Sequence, residues 1–226
     1  GVTNYDDLYA DILLWQKEGW IDYVTPQIYW FIGKKVADYA ILADWWSKNK
    51  YGCQLYIGQA PFLLNATARD TAWQKNDEII RQIELNRKNQ EISGSMFFSA
   101  KTLKNNPLKL KEELLKTHFR HQALTPTNKR IEAIIPGTPT KLLLQKQKKS
   151  VKLLWENGDL NNKFVVYQFD KRKGINFNDP TYIFQVTGDN YILLEKNRRC
   201  RTSRYIYAIT ALSSTHHESL PAFFNN

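Results

Sequence analysis

Residues 21–30, with the sequence IDYVTPQIYW, form an apolar run that ends in an amide, a phenol and an indole. Two later segments have the same design: CQLYIGQA at residues 53–60 and GSMFFSAK at residues 94–101. Helical patterns separate the three runs. Strands that alternate with helices predict a parallel sheet, and parallel sheets bind ligands at the carboxyl ends of their strands. The polar and aromatic residues that end these runs are therefore the candidate ligand-binding groups.

Apolar periodicity and capping residues predict four helices around these strands, over about residues 5–19, 36–50, 70–89 and 107–118. Residues 120–139 are rich in Thr, Pro and polar side chains and are typical of a linker. Beyond them the pattern changes to short strands at about 151–155, 164–169, 182–186, 191–194 and 205–211, separated by turn residues. Short strands at this spacing, with no helix between them, predict a small antiparallel sandwich over residues 140–226.

The ends of the three strands provide side chains that suit a hydroxyl-rich ring. We predict a substrate site formed by Gln27, Tyr29, Trp30, Gln59, Ser99 and Lys101. Aromatic faces suit the apolar face of a sugar, and amides both donate and accept hydrogen bonds. The structural alternatives are aromatic rings that fill the rim of the sheet, buried amides that satisfy nearby backbone groups, and a helix cap at Ser99.

Glycoside hydrolysis normally uses two carboxyl groups, and the predicted strand ends contain neither Asp nor Glu. Asp22 precedes its strand and belongs to the opposite edge, and Asp70 has the sequence position of a helix N-cap. Ser99 has no His and acid near it in the sequence that would make it a nucleophile. The catalytic residues are therefore not predicted within this sequence.

Composition and charge narrow the class of protein. The 226 residues include 42% hydrophobic and 13% aromatic side chains, which is typical of a folded chain, and no apolar run is long enough to span a bilayer. The first residues are polar and acidic, so we expect no secretory signal peptide within the sequence. Two cysteines, Cys53 and Cys200, and four scattered histidines predict neither a disulfide nor a metal site, and we expect no cofactor.

The net charge of +10 arises entirely in the second half of the sequence. Residues 1–100 contain 10 Lys and Arg against 12 Asp and Glu, whereas residues 101–226 contain 22 against 10. Two basic runs, at residues 146–149 and 198–201, suggest a polyanion partner. Because no nucleic-acid motif accompanies these runs, we do not expect the protein to bind nucleic acid. The runs are instead interpreted as a solvated surface or as a weak attraction to anionic cell-envelope polymers.

Several motifs in order resemble a family of bacterial glycosyl-hydrolase-like (β/α)8 barrels. They are YDDLYADILLWQKEGWIDYVTPQIYW at residues 5–30, ADWW at 43–46, LYIGQAPF at 55–62 and GSMFFSAKTLKNNP at 94–107. The remainder resembles a fibronectin type III-like module, with Trp155 on an early strand and Tyr205 and Tyr207 on a late one.

This resemblance implies an α/β fold in which residues 1–119 form the last three strands and helices of a TIM barrel, residues 120–139 a linker, and residues 140–226 a fibronectin type III-like sandwich. It implies a bacterial periplasmic, cell-surface or secreted glycoside hydrolase that cleaves a polysaccharide or cell-wall glycan. In such barrels the catalytic carboxylates are expected on earlier strands, upstream of this sequence, so that this chain would be a fragment that supplies sugar-binding subsites. Whether it is an enzyme by itself therefore stays open.

Two alternatives are a non-catalytic carbohydrate-binding or cell-envelope module, which needs aromatic rings but no acids, and a basic domain for polyanions. A partial barrel also has unpaired strand edges and an uncovered inner face. We therefore expect either a homodimer formed through the open sheet or an inner face covered by other parts of the chain.

Overall fold

A computed structural model describes residues 3–65, 70–128, 130–158, 163–195 and 203–224. The chain has a mixed α/β structure and divides into two compact units, Gly1–Arg120 and His121–Asn226. The helices lie in the first unit at α1 (Ile12–Lys17), α2 (Tyr39–Lys48), α3 (Asp77–Lys88), α4 (Ala100–Asn105) and α5 (Leu110–Lys116). The strands of the first unit are β1 (Tyr23–Val24), β2 (Gln54–Gln59) and β3 (Gly94–Phe97).

The three strands of the first unit form the predicted parallel sheet, in the order β1-β2-β3. Within the run at residues 53–60 the sequence predicts a strand over Gln54–Gln59, and β2 has these bounds. Leu55 and Ile57 alternate with residues of the other face and fill the core. Helix α2 packs on this face through Tyr39 and Ala43. Ile79 and Ile83 of α3 lie in a second core with Leu110 and Leu114 of α5. Since all three strands run in the same direction, their carboxyl ends meet at one edge of the sheet.

The predicted first strand is interrupted. Regular pairing covers only β1, and Pro26, which has no backbone N–H, ends it. Pairing resumes at Gln27, which forms an isolated bridge with Gly58. The strand direction therefore continues to the Tyr29–Trp30 end, although the ladder does not.

Three helix predictions were wrong in extent. The first helix begins at Asp11, whose carboxylate accepts a hydrogen bond from the Leu14 N–H, and not near Asn4. The predicted helix over 70–89 is a 3-10 turn, Thr71–Gln74, followed by α3, because the backbone at Lys75 is extended. The last predicted helix is a 3-10 turn, Pro107–Lys109, followed by α5, and α4 was not predicted.

The second unit contains two antiparallel sheets. Its strands are β4 (Thr140–Lys146), β5 (Ser150–Glu156), β6 (Lys163–Asp170), β7 (Ile183–Thr187), β8 (Tyr191–Glu195), β9 (Tyr205–Leu212) and β10 (Ala222–Phe223). One sheet has the order β4-β5-β8 and the other β10-β9-β6-β7. One hydrophobic core joins residues of both sheets, including Leu153, Trp155, Phe164 and Tyr207. The five predicted strands are confirmed; β4, half exposed, and the two-residue β10 were missed.

Candidate functional site

Three aromatic rings meet at the carboxyl edge of the parallel sheet. Tyr29 follows the Gln27 bridge, Phe62 lies in the 3-10 turn after β2, and Phe98 follows β3. The ring centroids are 5.5 Å apart for Tyr29 and Phe62, 5.9 Å for Phe62 and Phe98, and 6.3 Å for Tyr29 and Phe98. These separations are typical of aromatic contacts. We call these three residues the aromatic cluster.

The aromatic cluster is open to solvent. Phe98 is 58% exposed and Phe62 41% exposed, and the neighbouring Trp30 is also 41% exposed. Large aromatic side chains normally bury most of their surface, so exposed rings from three separate strand ends indicate a binding surface. Burial raises the pKa of the Tyr29 phenol above its ordinary value, so its hydroxyl stays protonated at neutral pH and can both donate and accept.

Gln27 is exposed, whereas Gln59 is fully buried. Gln59 lies on the same face of β2 as Leu55 and Ile57, and its Nε2 donates to Gln82 Oε1 on α3 at 3.1 Å. Its Oε1 is buried and has no hydrogen-bond partner among the described residues. The Gln59 side chain therefore points toward α3 and not toward solvent. This matches the alternative interpretation of Gln59 as a buried structural amide.

Gln59 belongs to a buried polar network that holds the chain after the first strand. Gln82 Nε2 donates to the Trp30 carbonyl at 3.1 Å and to Glu78 Oε1 at 2.9 Å. The same Glu78 oxygen accepts the Ile32 N–H at 2.8 Å. Two residues of α3 thus fix the backbone on both sides of Phe31, and so fix the position from which Trp30 projects.

Ser99 and Lys101 lie at the beginning of α4. Ser99 and Thr102 form a capping box, in which the Ser99 N–H donates to Thr102 Oγ1 at 3.4 Å. Ser99 therefore caps α4, as the structural alternative predicts. Its contact with a ligand remains a prediction. Lys101 is exposed in the first turn of α4, two residues after Ser99 and close in the chain to Phe98.

The acids near the sheet do not form a pair at its carboxyl edge. Asp22 lies at the amino end of β1, where its carbonyl accepts the Gln54 N–H at 3.2 Å. Asp70 does not cap the following turn with its side chain; its carboxylate forms an ion pair with Lys34 at 2.7 Å. Glu78 is buried and satisfied by the network just described. The described strand ends thus present aromatic and amide groups and no pair of carboxylates.

The sequence interpretation missed Phe62, Phe98, Glu78 and Gln82. Phe62 and Phe98 were visible as aromatic residues just beyond two predicted strand ends. Glu78 and Gln82, one helical turn apart, looked like ordinary polar residues of an amphipathic helix, and only their burial on the inner side of α3 shows their role.

Within the described ranges, no group of three or more His, Cys, Asp or Glu side chains is placed to hold a metal ion. No helix there is both long and apolar enough to cross a membrane. Cys53 is buried, whereas Cys200 and the basic run at 198–201 lie outside the described residues.

Comparison with known proteins agrees with the strand-end motifs. Residues 1–75 match the family described as Glycosyl hydrolase-like 10. The glycosyl hydrolase YngK of Bacillus subtilis is 36% identical over 230 residues, which covers 97% of this chain and 44% of YngK. The chain belongs to a glycosyl-hydrolase-like family. The glycosyl hydrolase DigH of Escherichia coli is 36% identical over 104 residues, 43% of this chain and 24% of DigH. This member of the family therefore spans less than half the length of these relatives.

The similarity to solved structures is weaker than the similarity to these sequence relatives. The spore cortex lytic enzyme SleM of Clostridium perfringens overlaps 83% of this chain and 75% of its own at 13% identity, with a TM-score of 0.31. The FN5 domain of Drosophila Lar overlaps 40% of this chain and 98% of its own at 15% identity, with a TM-score of 0.25. Both scores are too low to support an argument about fold.

Proposed function

We propose that this chain is the sugar-binding part of a glycoside hydrolase that acts on a polysaccharide or cell-wall glycan. The observation that carries the proposal is the exposed aromatic cluster at the carboxyl edge of the parallel sheet. Aromatic faces pack against the apolar faces of sugar rings, and Gln27 and the Tyr29 hydroxyl supply hydrogen bonds at their edges. Trp30, Ser99 and Lys101 complete the proposed subsites, and Gln59 supports them from behind.

The catalytic carboxylates in this proposal belong to a part of the parent protein outside this chain. The family relationship and the share of the relatives that the chain spans both support this arrangement. The parallel sheet would then be part of a (β/α)8 barrel. The second unit would be a fibronectin type III-like module. The seven strands described there, in two sheets with residues of both in one shared core, support this. The proposed location is periplasmic, cell-surface or secreted.

The proposal is tested by measuring binding of neutral glycans to the chain and to three single variants. Trp30→Ala and Phe98→Ala should each weaken binding by about two- to tenfold, since an aromatic contact contributes roughly 0.5–1.5 kcal/mol. Trp20→Ala is the matched control, because Trp20 is exposed but precedes β1, at the other end of the strand. Unchanged affinity in both site variants would remove the site assignment.

Turnover separates the proposed function from its alternative. Product analysis by mass spectrometry should show no cleavage by this chain alone and cleavage by the longer parent protein. Saturable binding without turnover in the parent as well would favour a non-catalytic carbohydrate-binding module. Cleavage by the chain alone, lost in Trp30→Ala, would place a catalytic pair within it and contradict the proposed division of roles.

A further inference from the structure

The basic residues of the second unit converge at one end of its sandwich. Strand β5 begins at Ser150, which pairs with Glu195, the last residue of β8. Strand β6 ends at Asp170, which pairs with Tyr205, the first residue of β9.

The other ends of β5 and β6 lie together, because the rings of Trp155 and Phe164 are 5.4 Å apart. The turn before β5, the segment after β6 and the segment before β9 therefore share the opposite end of the sandwich.

We infer that this end binds an anionic carbohydrate polymer. Its described basic side chains are all exposed, and they come from three separate segments: Lys146, Lys148, Lys149, Lys171, Arg172, Lys173 and Arg204. We call these seven residues the basic end. The described acids beside them are Asp170, Asp179 and Glu195, of which Asp179 interacts electrostatically with Lys173. Seven basic side chains against three acids leave an excess of positive charge. At the other end of the sandwich, Lys141 pairs with Glu156 at 2.7 Å. Asp189 precedes β8 there, and Glu218 and Lys163 both lie beside Leu212, the last residue of β9.

One carboxylate arranges two of the guanidinium groups. Asp170 accepts from Arg172 Nε and Nη2 at 3.0 and 2.8 Å, and from Arg204 Nε and Nη2 at 3.1 and 2.8 Å. These contacts hold the pKa of Asp170 well below its ordinary value. The two arginine side chains nevertheless remain 72% and 47% exposed. Because their planes are already fixed, less conformational entropy is lost when they bind a carboxylate or phosphate.

The chemistry of the basic end favours a flexible anionic glycan over a single-stranded nucleic acid. Proteins that bind single strands combine basic grooves with aromatic rings on which bases stack. At the basic end the Arg204 guanidinium lies over the Tyr205 ring, at 5.0 Å from the centroid. Phe177 and Tyr182, in the segment after β6, pack against Phe169 at 5.0 and 5.1 Å and so do not offer a row of open rings. Lysines on a turn, with long flexible stems, suit repeated carboxylates or phosphates along a chain. The choice of a glycan rests on the proposed function.

The basic end would attract an anionic polymer by its positive charge. The attraction weakens with salt, because binding releases the counterions that surround a polyanion.

The test is a binding titration of the whole chain with polygalacturonate at several NaCl concentrations, with dextran as the uncharged probe. The triple variant Lys148→Gln/Lys149→Gln/Lys173→Gln should bind polygalacturonate at least about tenfold more weakly at low salt, and the slope of log affinity against log salt should fall by roughly 2. The matched control is Lys88→Gln/Lys104→Gln/Lys116→Gln, which removes the same charge from exposed positions of the first unit and should bind as the unaltered chain does.

Equal losses in the two triple variants would overturn the inference, because net charge alone would then explain the binding. Tighter binding of oligothymidylate, or of vesicles rich in anionic lipid, than of polygalacturonate at equal charge concentration would also overturn it. Thermal unfolding of each variant confirms that folding is intact. Failure here is distinct from failure of the proposed function, which is measured with neutral glycans and the Trp30 and Phe98 variants.

Discussion

At Gly58 the backbones of the first two strands lie in close contact. A Cβ atom at this position would lie 2.9 Å from the Pro26 carbonyl oxygen and 3.2 Å from the Gln27 Cα. The Gly58 N–H donates to the same Pro26 oxygen at 2.9 Å, and Ile28 donates to the Gly58 carbonyl at 3.2 Å. The absence of a side chain thus permits the contact that carries the first strand past Pro26 to Tyr29.

We predict that Gly58→Ala destabilises the first unit by about 1–3 kcal/mol, because the clash is with backbone atoms that cannot move independently. Gly188→Ala is the control, since no atom lies within 4 Å of the Cβ position there. Urea unfolding followed by tryptophan fluorescence measures the difference. Equal stability of the two variants would show that the strands separate at little energetic cost.

The site residues show how far side-chain chemistry could be predicted. Alternation along a strand placed Gln27 and Tyr29 at the strand end, and the aromatic composition of the segments predicted exposed rings. The same reasoning did not distinguish Gln27, which faces solvent, from Gln59, which faces α3. A glutamine at a strand end has the same local signal on either face, and only the packing of a helix on one face separates the two.

At the level of elements, α3 connects stability to the site. Its apolar residues Ile79 and Ile83 fill the core, and its polar residues Glu78 and Gln82 hold the backbone at Trp30 and Ile32. Helix α3 therefore both packs in the core and positions the backbone around Trp30.

We predict that Glu78→Ala lowers the free energy of unfolding by about 1–3 kcal/mol, because the Ile32 N–H and one Gln82 N–H lose their partner in a buried place. Glu84→Ala on the same helix removes a half-exposed carboxylate and should change stability by less than about 0.5 kcal/mol. Chemical unfolding of both variants is the measurement. A loss in Glu84→Ala as large as in Glu78→Ala would contradict the role of the buried network.

The predicted elements matched the structure best where the apolar periodicity of the sequence coincides with burial. Strand β2 was predicted with its correct bounds because its Leu55 and Ile57 pattern has period two. The helix predicted over 5–19 was too long at its beginning, because Asp11 caps α1 and the helix follows it. The apolar pattern used for the prediction included Leu8, which is exposed. Strand β10 has two residues and is held by pairing with β9, a long-range contact with no local signal.

At the scale of the whole molecule, one face of the parallel sheet has exposed apolar side chains. It is the face opposite to the one on which Leu55 and Ile57 pack against α2. The rings of Tyr23 and Tyr56 are 5.9 Å apart, and a Cβ at Gly94 would contact the Tyr56 ring, so these residues share this face. Two and four residues beyond Gly94, Met96 and Phe98 are 46% and 58% exposed. Among the described residues, β1 and β3 are the edge strands of the sheet.

We predict that the chain self-associates through this exposed apolar face. Met96→Glu should weaken dimerisation at least about tenfold, since burial of a Met side chain contributes roughly 1.5–3 kcal/mol. Val36→Glu, a change at an exposed residue before α2, is the control. Sedimentation velocity over a range of concentrations measures the change. A chain that stays monomeric throughout would contradict the prediction.

The sequence by itself determined the alternation of helices and strands in the first unit, the parallel sheet, the change to antiparallel strands after residue 139 and the family, but not the short elements α4 and β10. The features it determined depend on periodicity and on motifs within single segments. Only the tertiary structure decided which side chains meet. Tyr29, Phe62 and Phe98 form one cluster. Gln82 donates to the Trp30 carbonyl across 52 residues, and Glu78 accepts from the Ile32 N–H across 46 residues. The physical reason is that residues far apart in the chain come together only when the sheet and its helices pack, and no local pattern records which faces will meet.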